Sequence, residues 1–231
     1  MLGTIINSAS IMAGSALGIW IVGPQARRHH DAVIRATGLA VVMIGARMAL
    51  EAQQLLLIII GLAAGTVIGE ELRLEQRLEL FGRALEARFS RAHGDFVRGF
   101  MTTSLVYCVG AMAIMGALED GLTGKYDILV AKSALDGITA VVFSSSMGVG
   151  VAFSAIPVLL YQGTITLAAR VLEPLLSQGT ITDMTATGGL LIMGIGLNLL
   201  GVTRLKLANL LPSLGVVAVL VRIMEVLVFG G

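Results

Sequence analysis

The chain has 231 residues, of which 56% are hydrophobic and only 13% are charged, values outside the usual range of soluble globular domains. Lys and Arg number 16 and Asp and Glu 15, so the formal net charge of +1 excludes the strong basic field typical of nucleic-acid binding. The single Cys108 excludes an intrachain disulfide. The composition predicts an all-α, polytopic integral membrane protein whose main partner is the lipid bilayer.

Apolar runs, taken in chain order, predict about eight transmembrane helices. The N-terminus enters apolar sequence without the positive segment of a cleaved signal peptide, so we expect the first run to remain as a helix. The eight spans are predicted near residues 2–23, 34–50, 55–70, 97–118, 127–146, 149–169, 184–202 and 207–229.

The uncharged stretch after Asp136 decides between seven and eight spans. No charged residue occurs from position 137 to position 169, which is 33 residues. At about 1.5 Å of rise per residue these reach about 50 Å, whereas two crossings of the apolar core require about 60 Å. Two helices in this stretch would therefore draw Asp136 into the membrane, with a turn at 144–150. The alternative is one long or broken crossing.

The distribution of Lys and Arg favours eight spans in a bacterial inner membrane, with both termini on the periplasmic side. Eight spans place the arginines after span 1, the Arg-rich segment 73–91, and Arg204 with Lys206 in the cytoplasm. Seven spans would put Arg204 and Lys206 outside. Lys125 and Arg170 are exceptions, since both lie near external helix ends.

Two distant segments resemble each other. Ala36-Thr37-Gly38 with Met43-Ile44-Gly45 matches Ala186-Thr187-Gly188 with 192–196, at an offset of about 150. Each is followed by a polar connection and an apolar helix. This predicts an inverted repeat of spans 1–3 and 6–8, an arrangement typical of secondary transporters, with two intervening helices. The matches are short, and chance similarity is the alternative.

The repeat defines the predicted organisation of a single membrane domain. In the first helix of each predicted repeat, Ser10/Gly14/Gly18 corresponds to Ser146/Gly150/Ser154, and both sets are of the small-xxx-small type. The predicted parts of domain 1–231 are a first three-helix repeat at 1–70, an amphipathic cytoplasmic helix at 71–95, two linking helices at 96–148, and a second three-helix repeat at 149–231.

Amphipathic and small-residue patterns predict contacts. A helical stripe of five large apolar residues predicts a surface helix that links the two halves, or alternatively contacts another subunit. The stripe comprises Leu74, Leu78, Phe81, Leu85 and Phe89. The Ser10/Gly14/Gly18 face predicts helix packing within one chain or in a homo-oligomer.

Polar residues at membrane depth are the candidates for function, because burying them is costly. Lys132 and Asp136 are four apart on one helix and predict either a structural ion pair or a proton, cation or substrate site. Neutral groups either complete that site or hold helices together. The candidates among them are Asn7, Ser10, Ser144, Ser145, Ser146 and Asn198.

Enzyme and metal motifs are missing from the sequence. Residues 121–126 end in Gly-Lys-Tyr, without the Ser or Thr of a phosphate-binding loop. His29 and His30 are adjacent rather than four apart, so no zinc motif of the HExxH type exists. Asp127 and Asp136 are separated by about 13 Å of helix, too far for an aspartic dyad. We expect neither enzymatic activity nor a cofactor.

Several motifs together resemble a known family. They are Gly3-Thr4-Ile5-Ile6-Asn7, Ala36-Thr37-Gly38, Lys132-Ser133-Ala134-Leu135-Asp136-Gly137, and Ser144-Ser145-Ser146 with Gly148. The chain resembles the YqgA/YdfK-type bacterial inner-membrane proteins, a family of unknown function, over essentially its whole length. The resemblance implies a polytopic inner-membrane protein but no activity and no site residue.

The residues themselves therefore carry the functional prediction. They predict a secondary transporter or channel-like permease for a small polar or ionic solute, driven by an ion gradient. Asp136 is the predicted proton or cation site, with Lys132 as its partner. The alternative is a structural or regulatory membrane protein that does not transport and that binds a partner through the amphipathic helix.

Overall fold

A computed structural model describes residues 1–22, 30–89 and 96–229, and in those residues every regular element is helical. The α-helices are α1 (Leu2–Leu17), α2 (His30–Ala49), α3 (Leu55–Glu71), α4 (Leu74–Phe89), α5 (Phe96–Cys108), α6 (Ala111–Thr123), α7 (Asp127–Met147), α8 (Gly150–Phe153), α9 (Ala155–Leu167), α10 (Ala169–Leu172), α11 (Gln178–Leu199) and α12 (Pro212–Phe229). A π-helical turn, Gly18–Val22, continues α1, and 3₁₀ turns occupy Glu173–Leu175 and Leu207–Leu210.

Six helical segments of the described residues are long and apolar enough to cross a membrane alone, and two bent pairs raise the number to eight. The bent pairs are α3 with α4, at 55°, and α5 with α6, at 62°. The second bend lies at Gly110, whose φ of 133° is a conformation that L side chains rarely adopt. The chain is thus a multi-pass helical membrane protein.

Close contacts show how neighbouring helices run. Along α1, Gly14 meets Gly137 and Gly18 meets Val141, so α1 and α7 run parallel. The chain reverses at Gly148, where φ is 75°, and α9 returns antiparallel to α1. The stretch after Asp136 therefore crosses twice.

The remaining helices fit the same alternation. Arg98 contacts the carbonyl of Leu199, while Gly188 faces Val109, so α5 and α6 run antiparallel to α11. Helix α3 likewise runs antiparallel to α12. Successive segments alternate in direction as eight crossings require, and we call the face on which α1 begins the N-terminal side.

Helices α2 and α11 pack through glycines. Gly38 lies against Gly196 and Gly45 against Gly189, which makes the pair antiparallel. Each of these two contacts joins one glycine of α2 to one glycine of α11.

Helices α3 and α12 form a second antiparallel pair. Gly61, Gly65 and Gly69 make one face of α3 that contacts Val217, Ser213 and Asn209 respectively. The outer surfaces of both helices carry exposed aliphatic side chains, which suits contact with lipid. These side chains include Leu55, Leu56, Ile59, Val219, Ile223 and Leu227.

The structure separates the small residues that the sequence assigned to the first helix of the second repeat. Ser146 is the last residue but one of α7, while Gly150 and Ser154 follow the turn at Gly148, so these three residues do not form one helical stripe. The corresponding face of α1, at Ser10 and Gly14, packs on α7 within the same chain. This face of α1 is therefore occupied within one chain.

The amphipathic segment forms α4, and the ring of Phe81 is tilted by 55° against that of Phe100 at a centroid distance of 5.9 Å. Phe89 ends this helix. The start of α4 is fastened to the 3₁₀ turn before α12, because the Glu75 carboxylate accepts from Ala208 N at 2.8 Å and Asn209 Oδ1 accepts from Glu75 N at 2.8 Å. Burial raises the pKa of the Glu75 carboxyl above 4.5, while the hydrogen bond from Ala208 opposes that rise.

Candidate functional site

Lys132 and Asp136 lie on the same buried face of α7. Their exposed fractions are 6% and 7%, and the Lys132 ammonium forms an ion pair with Asp136 Oδ2. The spacing of four residues places both side chains on one helical stripe, so the helix itself brings them together. Because a buried charge is stable only when it is paired, the two groups depend on each other.

Two amides from other helices join this pair. Asn7 of α1 donates from Nδ2 to Asp136 Oδ2 at 3.1 Å and to Gln162 Oε1 of α9 at 3.4 Å. Both amide side chains are fully buried. We call Asn7, Lys132, Asp136 and Gln162 the polar cluster. Three helices from distant parts of the chain therefore meet at the polar cluster, and Asn7 links Gln162 to the Asp136 carboxylate.

The polar cluster lies in the half of the protein nearer the N-terminal side. Asn7, Lys132 and Gln162 are each the sixth residue from that end of their helix. Five steps of helical rise place them about 8 Å inward. Asp136, the tenth of the 21 residues of α7, lies one turn deeper.

The cluster is not fully hydrogen-bonded. Asn7 Oδ1 and Gln162 Nε2 are buried and have no protein partner. An unpartnered buried polar group costs about 1–3 kcal/mol, and each such group in a native structure calls for an explanation. Asn7 is bonded to both Asp136 and Gln162, and the free acceptor and free donor of these two amides suit a water molecule or a small polar solute.

The bent pair α5 and α6 adjoins the cluster. The last two residues of α5 are Tyr107, which is 1% exposed, and Cys108. Both lie near Asp136, and Thr139 on α7 lies beside the Tyr107 hydroxyl. The backbone then breaks at Gly110 before α6 begins. Broken helices of this kind leave backbone groups free beside the binding sites of transporters.

The predicted serine ligands lie elsewhere. Ser10 Oγ donates to the carbonyl of Ser133 at 2.6 Å, which ties α1 to α7. Ser144, Ser145 and Ser146 donate to carbonyls three residues earlier in α7. Ser144 is eight residues beyond Asp136, about 12 Å along the helix. The structure does not bring the three later serines to the polar cluster.

Asn198 is also separate from the polar cluster. Its Nδ2 donates to the carbonyl of Leu205 at 2.8 Å, and its Oδ1 accepts from Leu205 N at 2.9 Å and from Thr203 Oγ1 at 2.8 Å. The side chain therefore organises the loop after α11, on the side opposite the cluster. The structure does not bring Asn198 to Asp136.

Sequence reasoning missed three buried polar residues. Gln162 lies in an uncharged run, where a search for charges does not find it. Asp120 follows the predicted span 97–118 but belongs to α6, where it is buried. Asp183 of α11 is fully buried, and its Oδ1 accepts from the backbone nitrogens of Gln53 at 2.7 Å and Gln54 at 3.2 Å, just before α3.

A cavity of about 450 Å³ opens on the side opposite the N-terminal side. Its charged lining comprises Glu75, Glu79, Arg98, Arg204 and Lys206. The described ranges contain no group of three or more His, Cys, Asp or Glu side chains placed to hold a metal ion.

Comparison with known proteins establishes the family. A family model described as a protein of unknown function, DUF554, matches residues 2–222. The chain belongs to this family. It is 34% identical over 218 residues to the uncharacterized membrane protein YdfK of Bacillus subtilis (strain 168), covering 93% of each chain.

A second relative agrees. The uncharacterized protein YqgA of Escherichia coli (strain K12) is 30% identical over 219 residues, again covering 93% of each chain. No solved structure matches significantly. The resemblance noted from the sequence motifs is thereby confirmed, and with it a polytopic membrane protein in a family whose name states no activity.

Proposed function

We propose that this DUF554 protein is a secondary transporter or channel-like permease for a small polar solute, coupled to a proton gradient through Asp136. The observation that carries the proposal is the convergence of Asn7, Lys132, Asp136 and Gln162 with one donor and one acceptor left unpartnered. A purely structural network would be expected to satisfy its own members. This one retains capacity for a ligand.

The ion pair supplies the coupling. Protonation of Asp136 removes the counter-charge of Lys132, and breaking a buried pair costs about 3–5 kcal/mol. A solute that offers a new partner to Lys132 or Asn7 offsets that cost. Proton binding and solute binding are thereby linked through one side chain, and each changes the affinity for the other by the same factor.

The packing of α2 on α11 supports the transporter proposal. Two inverted repeats would bring equivalent helices together antiparallel, as the contacts of Gly38 with Gly196 and of Gly45 with Gly189 do. Inverted repeats give a transporter two related conformations, open to opposite sides. Helices α3 and α12 also pack antiparallel, as equivalent third helices would.

Charge distribution supports an orientation with the N-terminal side outside the cell. Arg204 and Lys206 line the cavity on the opposite side, together with Glu75 at the start of the Arg-containing α4. Positive residues in short connections remain in the cytoplasm. We therefore place both ends of the eight-span chain on the periplasmic side of a bacterial inner membrane.

The test uses the full chain in lipid vesicles with an imposed proton gradient and a pH-sensitive dye inside. Small amino acids, carboxylates and polyols are added in turn, and solute-dependent change in internal pH is recorded. We expect at least one class to move protons with the wild-type chain and none with Asp136→Asn. The matched control, Asp183→Asn, replaces another buried aspartate and should retain the signal.

Two results would overturn the proposal. One is proton movement by Asp136→Asn at the wild-type rate. The other is no solute-dependent proton movement by the wild-type chain with any class, together with loss of stability in Asp136→Asn. The second result would favour the structural role in which the polar cluster only holds α1, α7 and α9 together.

A further inference from the structure

Two buried threonines extend the polar cluster toward the N-terminal side. Thr4 lies three residues before Asn7 on α1, and Thr166 lies four residues after Gln162 on α9. Their exposed fractions are 0% and 6%, and neither Oγ1 has a protein partner. Threonine hydroxyls inside helices usually donate to a carbonyl of their own helix. These two are oriented otherwise.

Both threonines lie on the same side of the cluster, because α1 and α9 are antiparallel. Ser8 of α1 contacts the carbonyl of Ala155 at the start of α9, whereas Met1 lies near Gly163 close to its end. Residues before Asn7 on α1 and residues after Gln162 on α9 therefore approach the same membrane surface. Thr4 and Thr166 lie on that side of the amides, about one helical turn away.

Helix α6 brings a carboxylate to the N-terminal side of the seam between α1, α6 and α9. Gly121 packs against the carbonyl of Thr166 so closely that a Cβ would collide with it. The preceding residue is Asp120, whose carboxylate is 4% exposed and lies with its Oδ2 2.6 Å from the amino nitrogen of Met1. The seam between α1, α6 and α9 is therefore lined by polar atoms from Asp120 to Asp136.

We propose that this seam holds a chain of water molecules that carries protons between Asp120 and Asp136, passing Thr166 and Thr4. The inference rests on the proposed function, for which it supplies the route of access from the N-terminal side. Four unpartnered polar atoms of Thr4, Asn7, Gln162 and Thr166 are the kind of groups that buried waters bridge.

The chemistry of the lining favours a proton over a metal cation. A dehydrated cation such as Ca²⁺ takes about 6–8 oxygen ligands. Between the carboxylates of Asp120 and Asp136 the seam offers only two hydroxyls, one amide oxygen and the amide nitrogen of Gln162, which is a donor and repels cations. A water chain uses donors and acceptors alike.

The transfer conserves protons and breaks only O–H bonds. A proton on the Asp120 carboxyl passes to the first water, each water accepts one proton and releases another, and the last passes one to Asp136. Asp120 becomes a carboxylate as Asp136 becomes a carboxylic acid. The titratable groups on the surrounding elements are the Met1 amino group, Tyr107, Cys108, Glu119, Lys132 and Tyr161.

Water in the seam is tested first, by a measurement that needs no transport. In a Cys108→Ala background, single cysteines replace Thr166 or Gln162, and the control cysteine replaces Ala117, which is fully buried in an apolar cluster at similar depth. Hydroxyl radicals made from water by a brief X-ray pulse oxidise thiols that touch water. We expect both seam cysteines to be oxidised several times faster than the control. Equal rates at all three positions would overturn the proposal.

Proton transfer is tested in the vesicle assay. Asp120→Asn should slow solute-dependent proton movement about tenfold, which corresponds to raising one barrier by about 1.4 kcal/mol. Thr166→Val should also slow it, whereas Thr185→Val, which removes a buried hydroxyl already bonded to Ile181, should not. Wild-type rates in Asp120→Asn and Thr166→Val, with Asp136→Asn inactive, would refute the route while leaving the proposed function intact.

Discussion

Asp136 and Asp183 are both buried aspartates on membrane-spanning helices, but different groups hold them. Asp183 accepts from two backbone nitrogens, those of Gln53 and Gln54, which α3 fixes in place. Asp136 instead accepts from the side chains of Lys132 and Asn7. Backbone donors at the start of a helix persist as long as the helix does. Side-chain donors can rotate away and return.

This difference indicates which carboxylate is suited to a transport cycle, in which its hydrogen bonds must form and break. The contacts of Asp183 tie α11 to the backbone just before α3, and their contribution is stability. The contacts of Asp136 can be rearranged by protonation, by a solute or by a shift of α1 against α7. The tightly packed glycine seam between α2 and α11 lies near Asp183, whose Oδ2 is also buried without a protein partner, while the unpartnered amides lie near Asp136. The two sites therefore differ in whether backbone or side-chain donors hold the carboxylate.

The largest expected effect is on stability when one partner of the ion pair is removed. Lys132→Met leaves Asp136 buried without its counter-charge and should lower the free energy of unfolding by about 3–5 kcal/mol. The double variant Lys132→Met/Asp136→Leu removes both charges and should recover most of the loss. Unfolding in mixed micelles, followed by circular dichroism, measures both. A single variant as stable as the wild type would mean that the pair is not buried together.

The glycine seam should respond next most strongly. Gly189→Ala would place a Cβ 2.6 Å from Ala49 N and 2.7 Å from Gly45 O, backbone atoms that cannot move aside independently. Overpacking of this kind costs about 1–3 kcal/mol. The control is Gly215→Ala on α12, where nothing lies within 4 Å of the added carbon. Equal melting temperatures for the two variants would contradict the close contact of α2 and α11.

Removing the acceptor just before α3 should have a smaller effect. Asp183→Ala leaves the nitrogens of Gln53 and Gln54 without their acceptor and should cost about 1 kcal/mol, as for other lost hydrogen bonds. Asp183→Asn retains an oxygen acceptor and should lose less. Hydrogen exchange of the Gln53 and Gln54 amides reports the change locally. Unaltered exchange in Asp183→Ala would show that the carboxylate does not hold these amides.

The smallest effect concerns Glu75 and pH. Because burial raises its pKa in the folded protein above 4.5, the folded state binds the extra proton. The associated stability is fully present below pH 4.5 and is lost as pH rises through the folded-state pKa. Glu75→Gln should remove this component of the pH dependence. Thermal unfolding of both chains across the acid range measures it, and parallel curves would contradict the assignment.

Much of this arrangement follows from sequence, and the rest depends on packing. Composition and apolar runs predict the eight segments, and a spacing of four predicts that Lys132 meets Asp136. Gln162 is invisible to such rules, since a single amide in an apolar run has no periodic partner. Its role emerges only when α9 packs against α1 beside Asn7.

The predicted ligands that lie apart from the polar cluster do so for physical reasons. Ser144 to Ser146 are polar and near the turn, but their hydroxyls bond to the carbonyls of α7 itself. Asn198 is polar and lies within a span but is used by the following loop. Asp120 follows Glu119 and reads as part of a charged loop, whereas α6 continues through both residues. Polarity alone does not indicate whether a group bonds locally or to another helix.

The most direct test of the central claim measures stability and transport in one preparation of Lys132→Met/Asp136→Leu. If the polar cluster exists for function, the apolar pair should keep the stability of the fold within about 1–2 kcal/mol of the wild type, or raise it. Solute-dependent proton movement into vesicles should then be abolished. A folded double variant that moves protons with solute at the wild-type rate would contradict the claim.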